Sequence, residues 1–186
     1  MQLAEDTKVE NNTYFKDVVD ALIRQPNSSE LKAFAPNLVP GIVNASDYDL
    51  GTQGVAYYDT NYANFSLSTG SYSPWNQGWN YRNDGVDIQS GADGGNGFYL
   101  GFLDQGEWVK YTIDVAQSGF YDLDLYYASV QSGGKIQLKS NGKLLLPEIT
   151  LSNTTSYTNF AAKSVPSLYL EAGKNVFEFE VTGSVA

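Results

Sequence analysis

The sequence predicts an all-β fold: an antiparallel β-sandwich of the jelly-roll type, preceded by a short helical N-terminal segment. Three observations predict it. In Gly101 to Ser129, Val109, Tyr111, Ile113 and Val115 alternate with Lys110, Thr112 and Asp114, and Tyr121, Leu123, Leu125 and Tyr127 alternate with Asp122, Asp124 and Tyr126. Period-two patterning with β-branched and aromatic residues on one face is that of half-buried antiparallel strands. Turn signals at Ser118-Gly119, Gly133-Gly134 and Asn141-Gly142 separate short runs of this kind, the last being a strong hairpin cue. Beyond Ile42 no helical stretch interrupts the strands, whereas the block before it is helical in pattern.

From the N-terminus, Asn12 to Gln25 reads as an amphipathic helix. Tyr14, Phe15, Val18, Val19, Leu22 and Ile23 share one face, Lys16, Asp17 and Asp20 lie outside it, and Pro26 ends it. Ser28 or Ser29 caps a predicted second short helix through Glu30, Leu31 and Phe34, closed by Pro36. Asn37 to Gly41 reads as a connector. The shift in pattern puts a boundary near Pro40, dividing the chain into a helical segment or linker, 1–40, and a sandwich, 41–186. Strand-like runs follow at Ile42–Ser46, Gly54–Tyr58, Val86–Ile88, Phe98–Phe102, Trp108–Val115, Tyr121–Ser129, Lys135–Leu138, Leu144–Leu151, Phe160–Val165 and Asn175–Val181. The long irregular segment Asn61 to Asn80 has the length of a functional or mobile loop.

Composition narrows the chemistry. The 186 residues suffice for one sizeable domain and an appendage, and they include no histidine and no cysteine. Nucleophilic triads built on histidine, zinc sites of the usual kind and disulfide frameworks are thereby excluded. A net charge of −10 repels nucleic acid and anionic membranes, so neither is an expected partner. No apolar run approaches the length of a membrane span. The opening MQLAEDTKVENN lacks the basic and apolar regions of a signal peptide and reads as a boundary. Fourteen tyrosines offer flat apolar faces with polar edges, which suits sugar recognition and equally suits a tyrosine-rich core.

Seven segments, in order, carry a resemblance: VNASDYDLG, GVAYYDT, YRNDGVDI, GFLDQGEWVKYTIDV, GFYDLDLYYAS, GGKIQL with NGK, and LEAGKNVFEFEV. Over roughly Gly41 to Ala186 the chain resembles the family 6 carbohydrate-binding modules appended to polysaccharide-degrading enzymes. The resemblance implies a secreted, non-catalytic module that holds an attached glycoside hydrolase on a plant or algal polysaccharide, of the xylan, β-glucan, cellulose or agar type. In such modules a sugar lies in a loop cleft between two aromatic rings, its C–H faces on the rings and its hydroxyls on polar groups. Matched residue by residue, the rings are Tyr81 and Tyr157, the latter standing where members usually have Trp, with Phe160 as a second aromatic of that segment. Tyr57 and Asp59 match a loop that reaches the ligand in some members, and a charged acceptor strengthens hydroxyl bonds. An Asn usually found before the last strand would follow Ala186, so this copy either lacks a last strand or is cut short of it. Trp75 and Trp79 lie in the long loop and read as a platform beside the cleft. Asn83, Asp84, Asn96 and Gln105 are further polar candidates.

Many members hold a structural calcium through acids of the opening strand and of the last strand. Asn44 and Ser46 replace the two opening acids, leaving Asp47, Asp49 or backbone oxygens to hold an ion; no cofactor is required. Two other readings stay open. The pair Asp104 and Glu107 would serve a glycoside hydrolase, although Glu107-Trp108 sits where the family has a structural acid. A structural or docking sandwich would contact protein through the helix at Tyr14–Ile23.

Overall fold

The alternating runs pair into sheets, as the sequence predicts. The computed structural model describes residues 8–23, 29–60, 81–82, 86–91 and 95–183. The largest sheet has the order β1 (Asn37–Val39), β5 (Trp108–Val115), β10 (Gly173–Gly183), β7 (Gly134–Ser140), β8 (Lys143–Leu151), with β2 (Tyr57–Tyr58) also pairing with β5. A second sheet joins β6 (Gly119–Tyr127) to β9 (Ala161–Leu170), and a third joins β3 (Ile88–Ser90) to β4 (Phe98–Leu100). Among the described residues the strand–strand pairings are antiparallel except β1 with β5.

Ser118-Gly119 does break the pattern, but β5 and β6 do not form a hairpin. β5 pairs with β1, β2 and β10, and β6 pairs with β9, so the turn carries the chain from one sheet to another. Asn141-Gly142 does close a hairpin. Both residues have positive φ, 49° and 75°, between paired Ser140 and Lys143, the backbone that Asn-Gly adopts readily. Pro147 sits within β8, which is the edge strand of its sheet and tolerates a missing N–H.

The inward residues form the core. Val109, Tyr111, Ile113 and Val115 of β5 join Leu138, Phe177, Leu168 and Leu170, with Tyr48, Tyr57, Val86 and Ile88 in the same cluster. Each fully buried aliphatic contributes about 1.5–3 kcal/mol, so this seam dominates stability.

Three expectations change at the N-terminal side. The helix forms as α1 (Lys16–Ile23), but the described residues 29–36 form no second helix. Instead, Lys32 makes a bridge with Leu50 through two backbone bonds, of 3.1 and 2.7 Å. The connector begins a strand: Asn37, Leu38 and Val39 lie parallel to Ile113, Asp114 and Val115, and the buried Asn37 gives its amide to the Thr112 carbonyl. The sheet therefore starts ahead of the boundary expected at Pro40. Ile42–Ser46 forms no strand; Ala45–Asp47 is a 3-10 turn.

Candidate functional site

The run Ser46-Asp47-Tyr48-Asp49 is buried throughout, and it organises the loops around it. Asp47 accepts the Tyr81 hydroxyl and the Asn96 amide on Oδ1, and the Asn44 amide (2.8 Å) on Oδ2. Asp49 accepts the Thr112 N–H (2.8 Å) and hydroxyl (2.6 Å), while burial raises its carboxyl above the ordinary range. Arg82, 1% exposed, donates to the carbonyls of Tyr48 and Asp49. Its guanidinium lies 3.6 Å from the Tyr48 ring centre and 4.3 Å from that of Phe34. The Tyr81-Arg82 pair thus pins the opening run by side chain and backbone at once.

Tyr81, matched to the first cleft ring, is partly buried. Its ring stacks on Phe98 at 4.7 Å and meets the edge of Phe34 at 5.7 Å. With two aromatic neighbours and its hydroxyl engaged, it is a fixed wall and not a free platform. Phe34, from the segment expected to be linker, supplies part of that wall.

Tyr157 stands differently. It is 52% exposed, in the loop between β8 and β9. That loop is cross-linked by its own side chains. Thr154 Oγ1 donates to the Ser129 and Ser156 carbonyls, and Asn159 reaches the Thr154 carbonyl (2.7 Å). Asn153 donates to the Val130 carbonyl and accepts the Thr155 N–H, each at 2.6 Å. These bonds brace the loop that carries the exposed ring. Phe160, at the loop's far end, packs edge-on against Tyr99 at 5.5 Å, so β4 carries the neighbours of both segments, Phe98 for Tyr81 and Tyr99 for the Tyr157 loop.

Tyr57 and Asp59, matched to the loop that reaches the ligand in some members, are both buried. Tyr57 is 2% exposed and packs edge-on against Tyr48 at 5.7 Å, because its register opposite Val109 turns it inward. Its neighbour Tyr58, opposite Trp108, is the exposed member of the pair. Asp59 is buried, and its backbone N–H and carbonyl are both held by the Gln53 amide. Asn96 is occupied with Ser46 and Asp47, and Gln105 is exposed. Trp75, Trp79, Asn83 and Asp84 lie outside the described residues.

The acid pair has a structural geometry. Glu107 is buried and accepts the Thr60 N–H (2.9 Å) and hydroxyl (2.6 Å) on Oε1, and the Asp104 N–H (2.9 Å) on Oε2. A carboxylate committed to three donors inside the protein is not poised to protonate a glycosidic oxygen or to attack a sugar. The acids of the opening run are likewise engaged within the protein. Asp47 and Asp49 turn both oxygens to protein donors, and Asn44 itself donates to Asp47. Among the described residues no three acidic side chains converge on a point that could hold a metal ion.

Comparisons with known proteins agree with this architecture. A family 6 module from Clostridium stercorarium, solved with cellobiose, superposes with a TM-score of 0.55 at 19% identity, covering 80% of this chain and 89% of that one. The C-terminal family 6 module of a marine laminarinase from Zobellia galactanivorans shares 24% identity over 54% of this chain and 80% of its own, with a TM-score of 0.49. No curated protein matches. The sequence profile described as carbohydrate binding module (family 6) matches residues 77–186, more than half of the chain. The chain belongs to the family 6 carbohydrate-binding modules.

Proposed function

We propose that this chain is a non-catalytic module that binds a β-linked plant or algal polysaccharide, with Tyr157 as the stacking ring and Tyr81 as the fixed wall beside it. The observation that carries the reading is the half-exposed Tyr157 on a loop knit by its own hydrogen bonds. A pyranose C–H face on that ring gains dispersion and hydrophobic burial, while hydroxyl edges reach the polar side chains of the same loop. Asp59, beneath the surface, acts by positioning the corner after β2. The solved relative with cellobiose and the family itself support a glycan as ligand. A secreted setting and an attached glycoside hydrolase are part of the same reading, by resemblance. The reading requires no cofactor, and Asp47 and Asp49 each accept protein donors.

Affinity electrophoresis in gels containing xylan, mixed-linkage β-glucan, a soluble cellulose derivative or agarose tests it. The wild-type chain is expected to be retarded by at least one of these. Tyr157→Ala is expected to lose about tenfold or more of that affinity with an unchanged melting temperature, as one stacked ring on an exposed loop implies. Equal retardation of wild type and variant would remove Tyr157 from the site.

A further inference from the structure

The helix α1 and Phe34 both lie outside the span that the family profile matches, yet they are joined to each other. Lys16 donates to the Phe34 carbonyl at 3.1 Å, and its Nζ stands 5.2 Å from the centre of the Phe34 ring. One turn further on, Asp20, its side chain 9% exposed, pairs with Lys32 at 3.8 Å. Residues four apart share one side of a helix, so these contacts define the side of α1 that meets residues 32–34. Leu22 and Ile23 stay exposed. The Asp20 pair is long and Lys32 is half exposed, which leaves Lys16 as the stronger tether.

The tether leads on to the candidate site. The Phe34 ring meets that of Tyr81 at 5.7 Å with 62° between their planes, and it lies 4.3 Å from the Arg82 guanidinium. Tyr81 is held by Asp47 at its hydroxyl and by Phe98 stacked at 4.7 Å, both from within the sandwich. Phe34 is a hold of a different origin, since it reaches Tyr81 from the N-terminal side. Its own carbonyl and ring are steadied by Lys16.

We propose that Phe34 is a positioning residue for the glycan cleft, and that α1 acts on the cleft through it. Lys16 steadies Phe34, and Phe34 sets the tilt of the Tyr81 ring. The segment ahead of the family-matching span is then part of the binding unit. This rests on the reading of Tyr81 as the wall beside Tyr157. A wall serves a sugar only while its angle is kept, so loosening its support weakens binding although no residue that touches the ligand is lost.

The test uses the full chain, with Tyr157→Ala as the control for the glycan reading. Phe34→Leu keeps apolar bulk without the ring, and is expected to weaken retardation in the gel that retards wild type by about three- to tenfold. Phe34→Tyr keeps the ring and is expected to restore the wild-type affinity. Lys16→Ala removes no ring, so any change it causes at Tyr81 reports the coupling itself. Without ligand, NMR of Lys16→Ala is expected to show shifted Tyr81 resonances, while those of residues 152–160 stay in place. Unchanged Tyr81 resonances in Lys16→Ala would overturn the proposal. So would a Phe34→Leu affinity equal to that of wild type while Tyr157→Ala weakens binding, an outcome that leaves the glycan reading standing. If no polysaccharide retards wild type, the glycan reading fails and takes the cleft role with it. If Phe34→Leu does not fold, the Tyr81 resonances and the affinity of Lys16→Ala decide, a loss of about twofold being expected.

Discussion

Arg82→Ala should cost about 3–5 kcal/mol of folding stability, the scale expected when a buried, fully engaged charge is deleted from its partners. The guanidinium is 1% exposed between the Tyr48 and Phe34 rings and donates to two carbonyls of the opening run. Its removal leaves those carbonyls without that donor and opens a cavity between the rings. It also takes away a positive charge that favours ionised Asp49. Arg82→Lys keeps the charge but not the planar fork, so it should recover only part of the loss. Denaturant midpoints measure both, and a loss below about 1 kcal/mol for Arg82→Ala would show that the opening run holds itself.

Glu107→Ala is the second large effect, expected at about 2–4 kcal/mol, because three donors lose their acceptor at once. They are the Thr60 N–H, the Thr60 hydroxyl and the Asp104 N–H. Glu107→Gln should fall between, its oxygen serving Thr60 while its amide group faces the Asp104 N–H. Thermal unfolding separates the three proteins. A Glu107→Ala variant as stable as wild type would mean that Thr60 and Asp104 find other partners. Equal stability with loss of a glycan-cleaving activity would return the carboxylate pair to a catalytic role.

Much of the fold was legible because its long strands alternate over eight or more residues. Val109 to Val115 and Tyr121 to Tyr127 needed only their own pattern to be read. Asn37 to Val39 could not be read that way. Three residues carry no period, and their partner, Ile113 to Val115, lies far along the chain. Phe34 was hidden for a similar reason, since what recruits it is the guanidinium of Arg82.

The candidate site was legible in part. Tyr157 stands on the surface, but Tyr57 and Tyr58 are adjacent tyrosines, and only the pairing with Val109 and Trp108 decides which one turns inward. Arginine is usually a surface residue, so nothing local marked Arg82 as buried. The family resemblance located the segments. It could not tell a wall from a platform at Tyr81, because that depends on Phe98 and Phe34.

The most direct measurement is an NMR titration of the labelled wild-type chain with xylo-, cello-, laminari- and agaro-oligosaccharides, following backbone amide shifts. Binding at the proposed site predicts saturable shifts from at least one series, centred on residues 152–160 and extending to the neighbours of Tyr81. No shift with any series, or shifts confined to α1, would contradict the account and favour a protein-docking sandwich.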